Sequence, residues 1–399
     1  MANNKKTNIK IKKSKYNLYN KKKSKSKQAL TWVLTILAAC VFGVVGYGVG
    51  KPIMNYFQTK NNTTSTTSGD SSETNSGDVS EPVSDNSEVT SDPTPGDTST
   101  PTVTSKDLRL CILSPEAATS SASLNSALAV ARESGYDTVA VTLKDEDGFL
   151  YYSSDIEGVR GTELIQGTLS AAQICDYITK AGMTPAVKIS ALKDNNTPKH
   201  FGGYHLESGI AWIDKRLEDG GKRWLSPFEE DTVKFIGDLT KELSTAGFRH
   251  IICENITYPA FHGTDITDYL KQLPLADNAA RLEALWNVAD AAKSGADEGG
   301  AQLWLEFEGE GFAKSDKFAT NAELASDKAK LGGMGIIADY SMSKAEEAYS
   351  EALEFAKNIK AQAGDCDLAV LIVSGPSGAA LDDIKKAFEE QNIQAFSEN

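Results

Sequence analysis

The amino-acid sequence predicts an α/β protein: a (β/α)8 TIM-like barrel preceded by a single transmembrane helix and a disordered stalk. Three observations carry this. The first 28 residues are rich in lysine and free of acid, and an uncharged apolar run follows them. A Ser/Thr/Asp-rich stretch comes next. From residue 106 onward one rhythm repeats, a short β-rich run, a loop and an amphipathic stretch. Strands that alternate with helices imply βαβ units and a parallel sheet.

The tail, residues 1–28, carries eleven lysines. The run Ala29–Gly50 spans 22 residues without a charge, and at about 1.5 Å per helical residue it is long enough to cross a bilayer core. Lysines crowd its N-terminal flank, while only Lys51 and Lys60 lie near the other end. The positive-inside rule therefore puts the N-terminus in the cytoplasm and the rest of the chain outside. A cleaved signal peptide is the first rival, but the apolar core is too long for one and ends without a small-residue cleavage pattern. Lipidation is the second, because Leu37-Ala38-Ala39-Cys40 has the form of a lipobox. The apolar run continues beyond it through Val41, Phe42 and Val45, so a membrane span is expected, with the lipid bilayer as a partner.

Residues 51–105 are expected to form a stalk. From Gln58 to Ser105 there is no aromatic residue and no apolar run, and eight acids face one lysine. Such a segment cannot bury enough surface to fold, and its own charge extends it.

The domain at 106–399 holds 28 basic and 47 acidic side chains, a net charge of −19. That balance argues against nucleic acid as a ligand. Its four cysteines, Cys111, Cys175, Cys253 and Cys366, show no C-x-x-C spacing, and buried thiols are expected rather than a disulfide framework. The β-rich runs are Leu108–Leu113, Thr138–Leu143, Thr184–Ile189, His250–Glu254, Gln302–Phe307, Met334–Ala338, Leu368–Val373 and Ile393–Phe396. Helices are expected at Leu124–Glu133, Ser170–Lys180, Phe228–Thr245, Asn278–Lys293, Ala322–Leu331, Lys344–Ala361 and Leu381–Gln391. Eight strands over this length match a closed barrel better than an open doubly wound sheet, which the short last strand leaves as an alternative.

In a barrel the chemistry sits at the C-terminal ends of the strands. Strand two ends in Lys144-Asp145-Glu146-Asp147-Gly148, strand three carries Lys188, strand four ends in Glu254, strand five in Glu306-Phe307-Glu308 and strand six in Asp339. On strand five the period-two alternation puts Gln302, Trp304, Glu306 and Glu308 on one face. Acids on neighbouring strands can form the carboxylate pair of glycosidic cleavage. Glu254, Glu306, Glu308 and Asp339 are the catalytic candidates, with Glu254 and Glu306 the leading pair. Lys144, Asp145, Lys188, Trp224, Tyr258 and Trp304 are the candidates for substrate binding. Acids at strand ends also cap helices or meet solvent, and Asp145 to Asp147 reads as a turn closed by Gly148.

Other devices are missing. His200 and His205 lack the spacing of H-E-x-x-H, so a zinc peptidase is not expected, and no metal or cofactor is implied. Ser374-Gly375-Pro376-Ser377-Gly378 matches neither a P-loop nor G-x-S-x-G and reads as a tight turn.

The segment Tyr136–Gly148, with its Thr142-Leu143-Lys144-Asp145-Glu146-Asp147-Gly148 end, resembles the opening of a family of glycoside-hydrolase domains long catalogued only as a domain of unknown function. Ala186-Val187-Lys188-Ile189, Lys193-Asp194, Trp224-Leu225-Ser226-Pro227 and Gly247–Pro259 continue the likeness in order. It covers Leu108 to about Phe261 well and the remainder loosely. The resemblance implies a (β/α)8 glycosidase-like barrel with polysaccharide as its substrate class. The chain departs from the pattern at Thr142 and Glu254, where the family has Asp, and at Thr257, where it has Arg. These losses open a second expectation, a barrel that binds glycans without cleaving them. Carboxylates pointing apart, or locked in ion pairs with Lys144 and Lys188, would favour binding over cleavage.

Overall fold

The computed structural model describes residues 109–314, 321–342, 345–374 and 378–397. The expected tail, span and stalk lie outside these residues, as does the middle of the Ser374–Gly378 loop. Among the described residues no helix is long and apolar enough to cross a membrane.

Eight strands run in sequence order through one sheet: β1 (Leu110–Leu113), β2 (Thr138–Lys144), β3 (Thr184–Ser190), β4 (His250–Glu254), β5 (Gln302–Phe307), β6 (Gly335–Ser341), β7 (Asp367–Ser374) and β8 (Gln394–Ser397). Each pairs in parallel with the next, from Leu110 opposite Thr138 to Leu371 opposite Phe396. β8 returns beside β1. The result is a nearly closed α/β barrel, and every β-rich run of the sequence is one of its strands.

The alternation of side chains builds two cores. One residue of each pair points outward to the helices: Val139, Val141, Val187, Ile251, Leu303, Leu305 and Ile336 pack there. The next points into the barrel, where Ala140, Ala186, Ile252, Trp304, Ile337 and Ala369 form a separate apolar layer. Small residues on β2, β3 and β7 leave room for the Trp304 indole, which also lies against Gly335, where any Cβ would overlap it. A packed interior of this kind closes the lower part of the barrel, so chemistry is confined to the strand ends above it.

The principal helices around the sheet are Ser121–Glu133, Ala171–Lys180, Glu230–Thr245, Asn278–Glu298, Ala348–Ala363 and Ala379–Glu390. Their starts follow capping chemistry: Ser170 and Gln173 form a reciprocal capping box, and Asp277 accepts from the N–H groups of Ala279 and Ala280. Glu230–Thr245 buries Phe235, Ile236, Leu239 and Leu243, a stripe at helical spacing. The helix expected at Ala322–Leu331 is not there; a short 3-10 turn, Glu323–Ser326, takes its place. Buried Glu323, Leu324 and Ala325 tie that turn to its neighbours instead of presenting one apolar stripe.

Candidate active site

On β3, β4, β5 and β6 a candidate residue stands two positions after an interior core residue. Lys188 follows Ala186, Glu254 follows Ile252, Glu306 follows Trp304 and Asp339 follows Ile337. A two-residue step keeps the same face, so all four side chains rise from the apolar plug into the barrel mouth. Lys188 is the centre of this group. Its Nζ lies 3.1 Å from Glu254 Oε2 and 2.9 Å from Glu306 Oε1. The side chains of Lys188 and Glu306 are each 7% exposed, and that of Glu254 is 19%. One ammonium thus holds two carboxylates side by side, with Glu254 the one nearer solvent.

Above the trio lies a cavity of about 380 Å³ lined by Glu254, Glu306, Glu308, Asp339, Trp224 and Tyr258, with Thr257, Asn321 and Lys215 among its other walls. Larger hollows exist elsewhere, about 770 Å³ near Cys175 and Gln302 and about 580 Å³ between the helices Glu230–Thr245 and Asn278–Glu298. Neither contains facing carboxylates on neighbouring strands, so chemistry rather than size selects the mouth. Among the described residues no group of His, Cys, Asp or Glu is placed to hold a metal ion.

A comparison with curated proteins finds no match. Residues 112–296 match the model of a family described as "Putative glycosyl hydrolase domain". Among solved structures, the glycoside hydrolase domain of PgaB (BpsB) from Bordetella bronchiseptica is similar at 11% identity, over 73% of this chain and 93% of that one, with a TM-score of 0.47. The catalytic domain of beta-amylase from Paenibacillus polymyxa is similar at 10% identity, over 73% and 92%, with a TM-score of 0.47. A hypothetical protein from Ruminiclostridium thermocellum shares 18% identity over 49% and 96%, with a TM-score of 0.38.

The barrel mouth brings six of the ten candidate residues to one cavity wall, and Lys188 stands directly on two of them. Three others are elsewhere. Lys144 would continue the interior face of β2, but the register slips between Thr142 and Lys144 and pairs Lys144 with Ile189. The bulge turns the side chain out of the barrel. Its Nζ is fully buried, 2.7 Å from Asp194 Oδ2 and 2.6 Å from the Ser190 carbonyl. Asp145 accepts the N–H groups of Asp147 and Phe149 at 3.0 and 3.1 Å and the Tyr151 hydroxyl at 2.7 Å, so its carboxylate closes a turn. Trp304 belongs to the interior plug, where its Nε1–H donates to His250 Nδ1 at 3.1 Å. A strand face extends below the mouth as well as into it, and Trp304 lies below.

The two aromatic rings at the mouth are walls rather than open platforms. Trp224 is 6% exposed and its Nε1–H donates to Asp214 Oδ2 at 3.0 Å. Tyr258 is 1% exposed; its hydroxyl donates to the Arg281 carbonyl at 3.0 Å, and the Arg281 guanidinium lies 4.5 Å over its ring. Burial pushes the Tyr258 hydroxyl pKa up. Glu308 is exposed and caps the short helix Gly309–Ala313 by accepting from the Gly311 N–H at 2.6 Å.

Sequence reasoning missed Asp194, Arg281 and Glu323. Asp194 is fully buried and accepts from the N–H groups of Asn196 and Thr197 and the Thr197 hydroxyl as well as Lys144. Its place in the Lys193-Asp194 motif was the available signal. Arg281 sits in a helix and Glu323 in the crossover between β5 and β6, and nothing local marks either. The four cysteines are free thiols, three of them buried.

Proposed function

We propose that the domain holds a polysaccharide in the barrel-mouth cavity and hydrolyses it. The family match supports action on glycans. The observation that carries the proposal is the cluster on Lys188: two carboxylates from adjacent strands at one ammonium, under a cavity lined by a third on β6. Glycosidic cleavage takes two carboxyl groups, one ionised as nucleophile or base and one protonated as acid. Glu254, ion-paired and the more exposed partner, fits the ionised role. Glu306 is deeper and holds Lys188 in place, so the proton donor in this reading is Asp339 on β6, in place of the Glu254–Glu306 pair expected from sequence.

The alternative, glycan binding without cleavage, is favoured by the same ion pairs. A carboxylate locked on an ammonium is not in the acid form, and Trp224 and Tyr258 are fixed by their own hydrogen bonds. Incubating the domain from Ser105 onward with a panel of wall and plant polysaccharides separates the two. New reducing ends support hydrolysis, whereas retention on a polysaccharide without new ends supports the binding barrel. As part of the same proposal, the lysine-rich tail and the uncharged run Ala29–Gly50 anchor the chain in a cell membrane with the domain outside.

A further inference from the structure

Behind the cavity wall, three segments distant in sequence meet at one buried carboxylate. Glu323 is 1% exposed. It accepts from the Thr257 hydroxyl at 2.9 Å and from Arg281 Nη2 at 3.2 Å. Thr257 and Tyr258 belong to the loop after β4, Arg281 to the first turn of Asn278–Glu298, and Glu323 to the crossover between β5 and β6. Arg281 completes the joint through its cation–π contact with Tyr258 and by accepting the Tyr258 hydroxyl on its carbonyl. Two residues before Glu323, Asn321 takes a left-handed backbone with φ of 54° and faces the cavity.

We propose that Glu323 is a positioning residue: its joint with Thr257 and Arg281 sets the wall that Thr257, Tyr258 and Asn321 present to the glycan. The inference rests on the mouth being the glycan site. Glu323 does not line the cavity, so it acts only through these neighbours. The charge pair is the reason an apolar residue would not serve equally well. A guanidinium at the edge of the core, stacked on Tyr258, needs a counter-charge, and the carboxylate needs donors on both oxygens. Burial pushes the Glu323 carboxyl up, and the Thr257 and Arg281 donors pull against that. Thr257 stands where the family resemblance has Arg.

Amide hydrogen exchange on the full chain tests this without any ligand. Glu323→Gln is expected to speed exchange about tenfold in both 255–261 and 321–326, with β4 and the helix Glu230–Thr245 unchanged. Arg281→Met should do the same, and the double variant should be no worse than either single one, because the two groups act as one pair. Thr257→Val, which removes only the hydroxyl, gives a smaller change in the same two segments and serves if Glu323→Gln does not fold. Where the wild type hydrolyses a panel polysaccharide, Glu323→Gln should raise KM about tenfold and leave kcat within about twofold. Exchange that rises across the whole barrel, that changes only in 321–326, or that multiplies in the double variant overturns the proposal. Failure of the wild type to act on any glycan counts against the functional reading and not against the exchange result.

Discussion

Lys188 is the residue on which the site depends, because one side chain compensates two acids in the barrel mouth. Removing one partner of a buried ion pair leaves an uncompensated charge, at a cost of about 3–5 kcal/mol. Lys188→Met is therefore expected to lower unfolding stability by roughly that amount in a denaturant titration, with Glu306, at 7% exposure, contributing most. Lys180→Met, which breaks the exposed pair with Asp176, should leave the midpoint where it was. His250 supplies a pH prediction. Burial, opposed by Asp367, lowers its pKa from the ordinary 6.5 to about 4, and the neutral ring accepts the Trp304 indole N–H. The folded state binds fewer protons than the unfolded one between those values, so this contribution is complete above pH 6.5 and is lost as pH falls through 4. Glu323 runs the other way, since its raised pKa favours the fold at the acid end. Thermal midpoints measured from pH 7 to pH 4 should fall less steeply in His250→Gln, which keeps an acceptor for Trp304.

At the scale of elements, the strand–turn junction after β2 shows what sequence can and cannot disclose. Their places at strand C-terminal ends, with period-two alternation on strand five, were enough to gather Lys188, Glu254, Glu306 and Asp339 at one mouth, because each strand is regular between its core residue and its charged residue. On β2 the same reasoning failed, because the bulge at Thr142–Lys144 adds a residue and turns Lys144 over. Nothing in Thr142-Leu143-Lys144 announces that bulge. Alternation says which face a side chain takes but not how high on the barrel it sits, which is why Trp304 joined the candidates. The joint of Glu323 with Arg281 was invisible for a different reason: its members are 42 residues apart and belong to no shared pattern. The junction itself can be tested. Gly148 has a φ of 81° and lies against the Asp194 carboxylate, with no room for a Cβ. Gly148→Ala should push Asp194 away from Lys144 and destabilise the domain by about 2 kcal/mol or more in denaturant unfolding.

On the scale of the whole molecule, the apolar plug and the polar mouth divide the barrel into a part that holds the fold and a part free to act. The proposed anchor and stalk would set that mouth away from the membrane, in reach of polymers at the cell surface. Protease added to intact cells should then cut between residues 51 and 105 and release the domain while sparing the lysine-rich tail. Processing at Cys40, or a protected stalk, would contradict that arrangement. In the proposed mechanism Glu254, held on Lys188 at the barrel mouth, acts on the glycan. The most direct test is to measure reducing-end release and affinity side by side, on one polysaccharide, for the wild type and Glu254→Gln. Hydrolysis is expected to fall by at least about a hundredfold while affinity changes by less than about threefold, because the amide keeps the shape of the carboxylate and cannot serve as nucleophile or base. Hydrolysis by Glu254→Gln at the wild-type rate would contradict it.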